Sequence, residues 1–256
     1  MKVTKIKHFL TADLHLFHQR IIKYADRTKY EDSEKGAMDM THDIVNFINK
    51  SLPDELGVVL WILGDVFYGP LLNKYSFEDL QELVTTMRGK HRCLNLVIGN
   101  HDRDFRALGW KKANNANWID QMSDEHIFRN FGFTCVYGYP IIFGNLIFSH
   151  EPVFLSKDSK FLNIHGHTHN TFVDENYFTW KCENHDMVKK AFESVGRELP
   201  KDIDDKKENW EELIVDPHKY INACWDVMAP SFHMMELDIN SDYVDIINLK
   251  SEEDGK

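Results

Sequence analysis

A short apolar run that ends in a glycine and then in metal-binding side chains is the feature that most constrains this sequence. The segment from Cys93 to Ile98 predicts a buried strand, because most of its residues are apolar. Gly99 permits a sharp turn or a close backbone approach, and Asn100, His101 and Asp102 follow it directly. In α/β proteins, functional side chains lie at the carboxyl ends of strands in this way. Taken alone, the segment favours an ordinary strand end with an Asx-type turn.

The same order of apolar strand and ligand-type residue recurs along the chain, and the recurrence favours a functional site. We predict further strands at Val3–Ala12, Val58–Leu63, Ile141–Phe148 and Phe161–Ile164. Because residues two apart in an extended segment share a face, Asp13 and His15 are able to reach one ion. The five strand ends carry Asp13 and His15, then Asp65, then Asn100, His101 and Asp102, then His150, and finally His167 and His169.

Alternation of strands and helices predicts an α/β fold built from parallel βαβ units with right-handed crossovers. The helices are expected at His18–Arg27, Ala37–Lys50, Ser76–Gly89, Asp104–Trp110 and Ser123–Phe131. Four further strands are predicted at Phe133–Tyr137, Tyr220–Cys224, His233–Asp238 and Val244–Leu249. Together these elements predict a single domain over residues 1–250. We predict that residues 183–216 form an acidic, partly helical surface insertion and that residues 251–256 form a disordered tail.

The composition argues against some classes of partner and bears on the location of the protein. The chain has 256 residues and a formal net charge of −11, which disfavours binding of a long nucleic-acid polymer. Its four cysteines form no C-x-x-C pair, which favours reduced thiols in a cytoplasmic protein. No signal peptide and no membrane-spanning apolar run is predicted. The oligomeric state is left open by the sequence.

The ordered motifs D-x-H, G-D, G-N-H-D, H and G-H-x-H resemble the signature of the calcineurin-like metallophosphoesterases. They stand here as Asp13-Leu14-His15, Gly64-Asp65, Gly99-Asn100-His101-Asp102, Ser149-His150 and Gly166-His167-Thr168-His169. The stretches 13–22, 61–67 and 222–231 look more specifically like small bacterial and phage members. The resemblance implies a four-layer α/β/β/α sandwich, with two mixed β-sheets flanked by helices and a dimetal site at the carboxyl ends of strands.

The resemblance also implies a role for each motif residue. One ion would be held by Asp13, His15, Asp65 and His169, and the other by Asp65, Asn100, His150 and His167. His101 would lie over the site without binding metal, and Asp102 would orient it. A bridging carboxylate and hydroxide screen two ions from each other, and the ions make the bridging water a nucleophile at neutral pH. Nitrogen and oxygen ligands suit two divalent transition-metal ions, with Mn favoured and Fe, Ni, Co or Zn as alternatives.

Three functions are compatible with these motifs. We favour a phosphodiesterase that acts on a small phosphoester or a nucleotide, or on a phosphodiester derived from a nucleic acid, such as a nucleic-acid end. A phosphomonoesterase that acts on nucleotides or phosphoproteins is the alternative among enzymes. A metal-stabilised binding scaffold without turnover is the alternative outside enzymes, but the motif residues His101 and Asp102 argue against it, because a structural site needs no additional imidazole.

Residues next to the motifs carry weaker predictions. His18, Arg20 and Arg103 are candidates for binding the substrate phosphate, although each is equally typical of a protein surface. His165 lies close to two ligands in sequence but is able to face the other side of its strand. Asp226, within the stretch 222–231, is interpreted as structural.

Overall fold

The structure is a computed structural model, and it describes residues 6–106, 108–155, 159–171, 173, 177, 217–228, 235–239 and 244–248. Ten strands form two sheets. They are β1 (Lys7–Thr11), β2 (Val58–Ile62), β3 (Cys93–Val97), β4 (Cys135–Tyr137), β5 (Ile141–Phe143), β6 (Leu146–Ser149), β7 (Leu162–His165), β8 (Tyr220–Asn222), β9 (Met235–Ile239) and β10 (Val244–Asn248).

The described helices are α1 (Ile21–Tyr24), α2 (Glu34–Ser51), α3 (Phe77–Arg88), α4 (Leu108–Ala113), α5 (Asp124–Phe131) and α6 (Trp225–Met228). Short 3-10 turns cover Pro70–Lys74, Asp102–Arg106, Asn117–Gln121 and Pro217–Lys219. The predicted capping box of α3 is present, since Ser76 and Asp79 each accept a hydrogen bond from the other's backbone N–H. Gly89 ends α3 at a φ of 65°, as predicted. None of the helices that the structure describes is long and apolar enough to cross a membrane.

The larger sheet has the strand order β10-β9-β1-β2-β3-β4, and the smaller one the order β5-β6-β7-β8. Strands β1 to β4 are parallel, with helices between successive strands, as the predicted βαβ units require. Strands β9 and β10 are antiparallel additions to β1, and β5 is antiparallel to β6. Both sheets are therefore mixed, and the predicted fold of two mixed sheets with flanking helices is confirmed.

Two apolar layers hold these elements together. One lies between the helices and the outer face of the larger sheet, and includes Met40, Ile44, Leu60, Leu80 and Phe128. The other lies between the two sheets. Its buried members include Leu10, Trp61, Phe148, Ile164 and Ala223. Because both sheets are packed on this inner layer, the loops at the carboxyl ends of β1, β2, β3, β6 and β7 are held against one another.

The structure differs from the predicted elements in several places. The predicted strand Ile141–Phe148 is a hairpin of β5 and β6, with Gly144 at its turn at a φ of 61°. The predicted helix His18–Arg27 is reduced to α1. The helix predicted at Asp104–Trp110 is divided into a 3-10 turn and α4. The 183–216 insertion and the 251–256 tail lie outside the described residues.

Candidate metal centre

Five of the seven predicted ligands have a strained backbone at the ends of their strands. Asp13, His15, Asp65, His167 and His169 all have positive φ angles, between 48° and 69°. A left-handed backbone is unfavourable for residues other than glycine and tends to occur at functional sites. Asp13 and His15 do lie together, but the extended conformation predicted for them is not found, since both residues are left-handed.

Two motif glycines allow the loops to approach closely. A Cβ atom on Gly99 would collide with the Asp65 side chain and backbone, and one on Gly64 would collide with the His150 ring. The structure thus confirms the predicted close backbone approach at Gly99, because no other residue has room there.

The first group of ligand atoms comes from the loops after β1 and β7. Asp13 Oδ1 lies 3.8 Å from His15 Nε2 and 4.0 Å from His169 Nε2. These three residues offer ligand atoms that all lie within 4.8 Å of one another. The other carboxylate oxygen, Asp13 Oδ2, accepts hydrogen bonds from the His167 backbone N–H and from the Cys224 thiol. Asp13 is therefore oriented with Oδ1 toward the two imidazoles.

The second group comes from the loops after β3, β6 and β7. His150 Nε2 lies 2.8 Å from Asn100 Oδ1 and 3.2 Å from His167 Nδ1, and Asn100 Oδ1 lies 3.0 Å from His167 Nδ1. The far nitrogen of His150 donates to the Leu63 carbonyl at 3.0 Å, so Nε2 is left with its lone pair toward the group. The three side chains converge as ligands of one ion would.

Asp65 lies between the two groups. Its Oδ2 is 3.7 Å from His15 Nε2 and 3.4 Å from His150 Nε2, while Oδ1 accepts the His101 backbone N–H. The geometry thus matches the bridging position that the resemblance implies for Asp65.

Unpaired buried atoms support a metal at this place. Asp13 Oδ1 and His15 Nε2 are buried and have no hydrogen-bond partner among the described residues. A buried polar atom without a partner is costly, and a cation at the centre of the first group would remove that cost for both atoms. Carboxylate, amide and imidazole ligands suit divalent ions. The residues present therefore fit divalent metal ions, and the ligand set is that of two neighbouring positions.

In the metal-free protein, the pKa values of the buried carboxyl groups of Asp65 and Asp13 are shifted in opposite directions. Burial, together with the negative charges of Asp102 and Asp13, raises the pKa of Asp65 to about 9. Burial would also raise the pKa of Asp13, but its interactions with His15, His150 and His169 hold it well below the usual range. Burial lowers the pKa of His15 to about 4, so its imidazole is neutral and able to bind metal.

The predicted partnership of Asp102 with the His101 imidazole is not found, and this is a correction. The buried Asp102 carboxylate accepts hydrogen bonds from the backbone N–H groups of Asp65, Val66 and Gly99 instead. Among the described residues it makes no hydrogen bond to the His101 ring, and the three backbone donors hold both of its oxygens. Burial, and then the charge of His150, lower the pKa of His101, so its charged form is not stabilised. Asp102 shapes the loops that carry Asp65 and His101.

An open cavity of about 670 Å³ lies against the first ligand group. His15, His101 and His169 line it, together with the predicted substrate residues His18 and Arg20. Tyr68 is one of several wall residues that were not predicted, since nothing in its sequence context distinguishes it from the apolar run before it. Its ring centroid lies 4.0 Å from that of His101 and 4.4 Å from that of His18.

Two other candidates lie outside this cavity. The Arg103 side chain is 60% exposed and its Nε lies 3.4 Å from Asp124, so the geometry does not support contact with substrate. His165 is buried, and its Nδ1 donates to the Gly166 carbonyl at 2.8 Å. Burial lowers the pKa of His165 to about 4.

The chain matches a known family over nearly its whole length. A model of the calcineurin-like phosphoesterase family matches residues 6–246. No curated protein matches the sequence. Among solved structures, a protein of unknown function from Aquifex aeolicus is similar, with 18% identity, a TM-score of 0.40 and coverage of 63% of this chain and 78% of the other. The family match and the ligand groups support a metal-dependent phosphoesterase. This chain belongs to the calcineurin-like phosphoesterase family.

Proposed function

We propose that this protein hydrolyses phosphodiesters, in a small phosphoester or a nucleotide, with two divalent transition-metal ions of which Mn is favoured. The observation that carries the proposal is the position of Asp65 Oδ2, which lies within 3.7 Å of an imidazole from each ligand group. One of these imidazoles, that of His15, lines an open cavity. When bound, two such ions supply a water of lowered pKa and neutralise phosphoryl oxygens. The cytoplasmic location expected from the cysteines stays a prediction.

The residues around the cavity support binding and orientation of a phosphoryl group. His101 is held by its backbone N–H on Asp65 and by its ring on Tyr68, so its imidazole has a defined position at the cavity wall. From there it is placed to donate a hydrogen bond to a phosphoryl oxygen or a proton to a leaving oxygen. Arg20 supplies a positive charge on the same wall.

The preference for a diester rests on charge. Two divalent ions, the carboxylates of Asp13 and Asp65 and one hydroxide carry about +1 together. A phosphodiester monoanion brings this to about zero, whereas a monoester dianion leaves about −1 in a site of low dielectric. The net charge of −11 on the whole chain adds to this bias.

The test compares kcat/KM for bis-p-nitrophenyl phosphate and p-nitrophenyl phosphate, with Mn²⁺ at one pH and salt concentration. We expect turnover that is abolished by chelator and restored by Mn²⁺, and a modest preference for the diester. A monoester preference of tenfold or more would refute the charge argument. Absence of metal-dependent turnover on both substrates would favour the binding scaffold.

One observation favours the monoesterase as a second candidate. Arg20 lines the cavity and has no ion-pair partner in the described ranges, so it is available to a second negative charge on the phosphate. Under this alternative, Arg20→Ala lowers kcat/KM for the monoester far more than for the diester. Arg103→Ala is the matched control, since Arg103 pairs with Asp124 instead.

A further inference from the structure

A buried ion pair lies directly behind the ligand His169. Asp226 Oδ2 accepts a hydrogen bond of 2.6 Å from His169 Nδ1–H, while Asp226 Oδ1 accepts one of 2.5 Å from Arg27 Nε. The Asp226 side chain is fully buried and that of Arg27 is 5% exposed. From the sequence, Asp226 is interpreted as structural, and nothing connects it with Arg27 because the two are 199 positions apart.

Arg27 also holds the backbone that carries the other ligands of the first group. Its guanidinium donates to the carbonyl of Asp13 at 2.7 Å and to the carbonyl of Leu14 at 2.8 Å. The guanidinium therefore ties the loop after β1 to Asp226, and Asp226 ties both to His169. Segments from three distant parts of the chain are joined at one buried point.

This partner distinguishes His169 from the other imidazoles. The far nitrogen of His150 donates to a neutral carbonyl, that of Leu63. His15 Nδ1 has no partner among the described residues. A carboxylate partner orients a ligating imidazole and makes it a stronger base than a carbonyl does, and such partners commonly change metal affinity by about 10–100-fold.

We propose that Asp226, held by Arg27, is a positioning residue that sets the affinity of the metal position formed by Asp13, His15 and His169. The inference rests on the proposed function, since it requires that this group binds a divalent ion. Asp226 acts through His169 Nδ1, which keeps Nε2 directed at the ion. The position formed by Asn100, His150 and His167 does not depend on Asp226.

The experiment measures Mn²⁺ affinity of the full-length chain by competition with a chelator, without substrate. In Asp226→Asn we expect one of two ions to bind about 10–100-fold more weakly, while the other keeps its affinity. Asp43→Asn is the matched control, because Asp43 pairs with Lys29 at 2.7 Å on the surface. Its affinities are expected to equal those of the wild type.

A double-mutant cycle separates positioning from general destabilisation. In a His169→Ala background, Asp226→Asn is expected to cause no further loss of affinity. Equal losses in both backgrounds would overturn the proposal, and so would wild-type affinity for both ions in Asp226→Asn.

Asp226→Asn leaves Arg27 as a buried unpaired charge, which threatens folding. If the single variant does not fold, Arg27→Gln with Asp226→Asn removes both charges, and the same weakening of one ion is expected. Two ions bound at wild-type affinity by this variant would again refute the proposal. A wild-type protein that binds no Mn²⁺ would instead refute the proposed function.

Discussion

We expect the metal-free protein to keep one proton within its buried carboxylate cluster at neutral pH. The pKa of Asp65 is raised to about 9, from a usual value of 3.8, by burial and by the charges of Asp102 and Asp13. A pH of 7 is about two units below this pKa, so the Asp65 carboxyl group is almost wholly protonated. The Asp65 carboxyl group interacts with the buried carboxylates of Asp102 and Asp13, so its pKa depends on their charges.

The consequence for stability has a definite sign. The pKa of Asp65 is higher in the folded state than in the unfolded chain, so its contribution to stability is complete below about pH 4 and is lost as pH rises toward 9. Each pH unit in this window lowers the free energy of unfolding by about 1.4 kcal/mol for one titrating group. His15 titrates near 4 and does not contribute between pH 7 and 8.5. His169, whose pKa is raised by Asp226 against the effect of burial, acts in the same direction as Asp65.

The assay is urea unfolding of chelator-treated protein between pH 7 and 8.5, paired with infrared detection of the carboxylic acid band. We expect a fall of about 1.4 kcal/mol per pH unit, and an acid band that disappears near pH 9 or on addition of Mn²⁺. Asp65→Asn should remove both the band and this part of the slope. A stability that rises with pH in this range, or an acid band that persists in Asp65→Asn, would refute the reasoning.

Four further predictions concern single residues and the insertion. His101→Ala should retain both ions, measured by elemental analysis, and lower kcat by roughly 10²–10⁴-fold; loss of metal would make His101 a ligand. Asp65→Ala should lose at least one ion and its activity, and two tightly bound ions would exclude the bridging role. Asp102→Asn should lower the free energy of unfolding by about 1–3 kcal/mol, because an amide leaves one of three backbone donors facing an NH₂ group. Replacement of residues 183–216 by a Gly/Ser linker should leave metal binding unchanged in a folded protein and small-substrate turnover within about a few-fold.

Sequence reasoning located the ligands because their signal is local. Each lies at the end of an apolar run, where the period of hydrophobic residues stops and a glycine or a ligand-type residue begins. The boundaries of α3 were equally predictable, since the capping box of Ser76 and Asp79 and the terminal Gly89 are local signals at the two ends of the helix. The hairpin was missed although a local signal was present, because Gly144 and Asn145 between two apolar triplets are typical of a two-residue hairpin turn.

The amino-acid sequence by itself indicated most strands and helices and the candidate ligands at the strand ends, since these depend on residue type and spacing. The two-sheet fold class followed from the resemblance of the ordered motifs to a family. Only the tertiary structure decided how the ligands are held. It placed the Asp102 carboxylate on backbone donors from two loops, and it brought Asp226 to His169 and Arg27. Hydrogen bonds between positions far apart in the chain leave no periodic trace, because they depend on where packing of the two sheets brings the loops together.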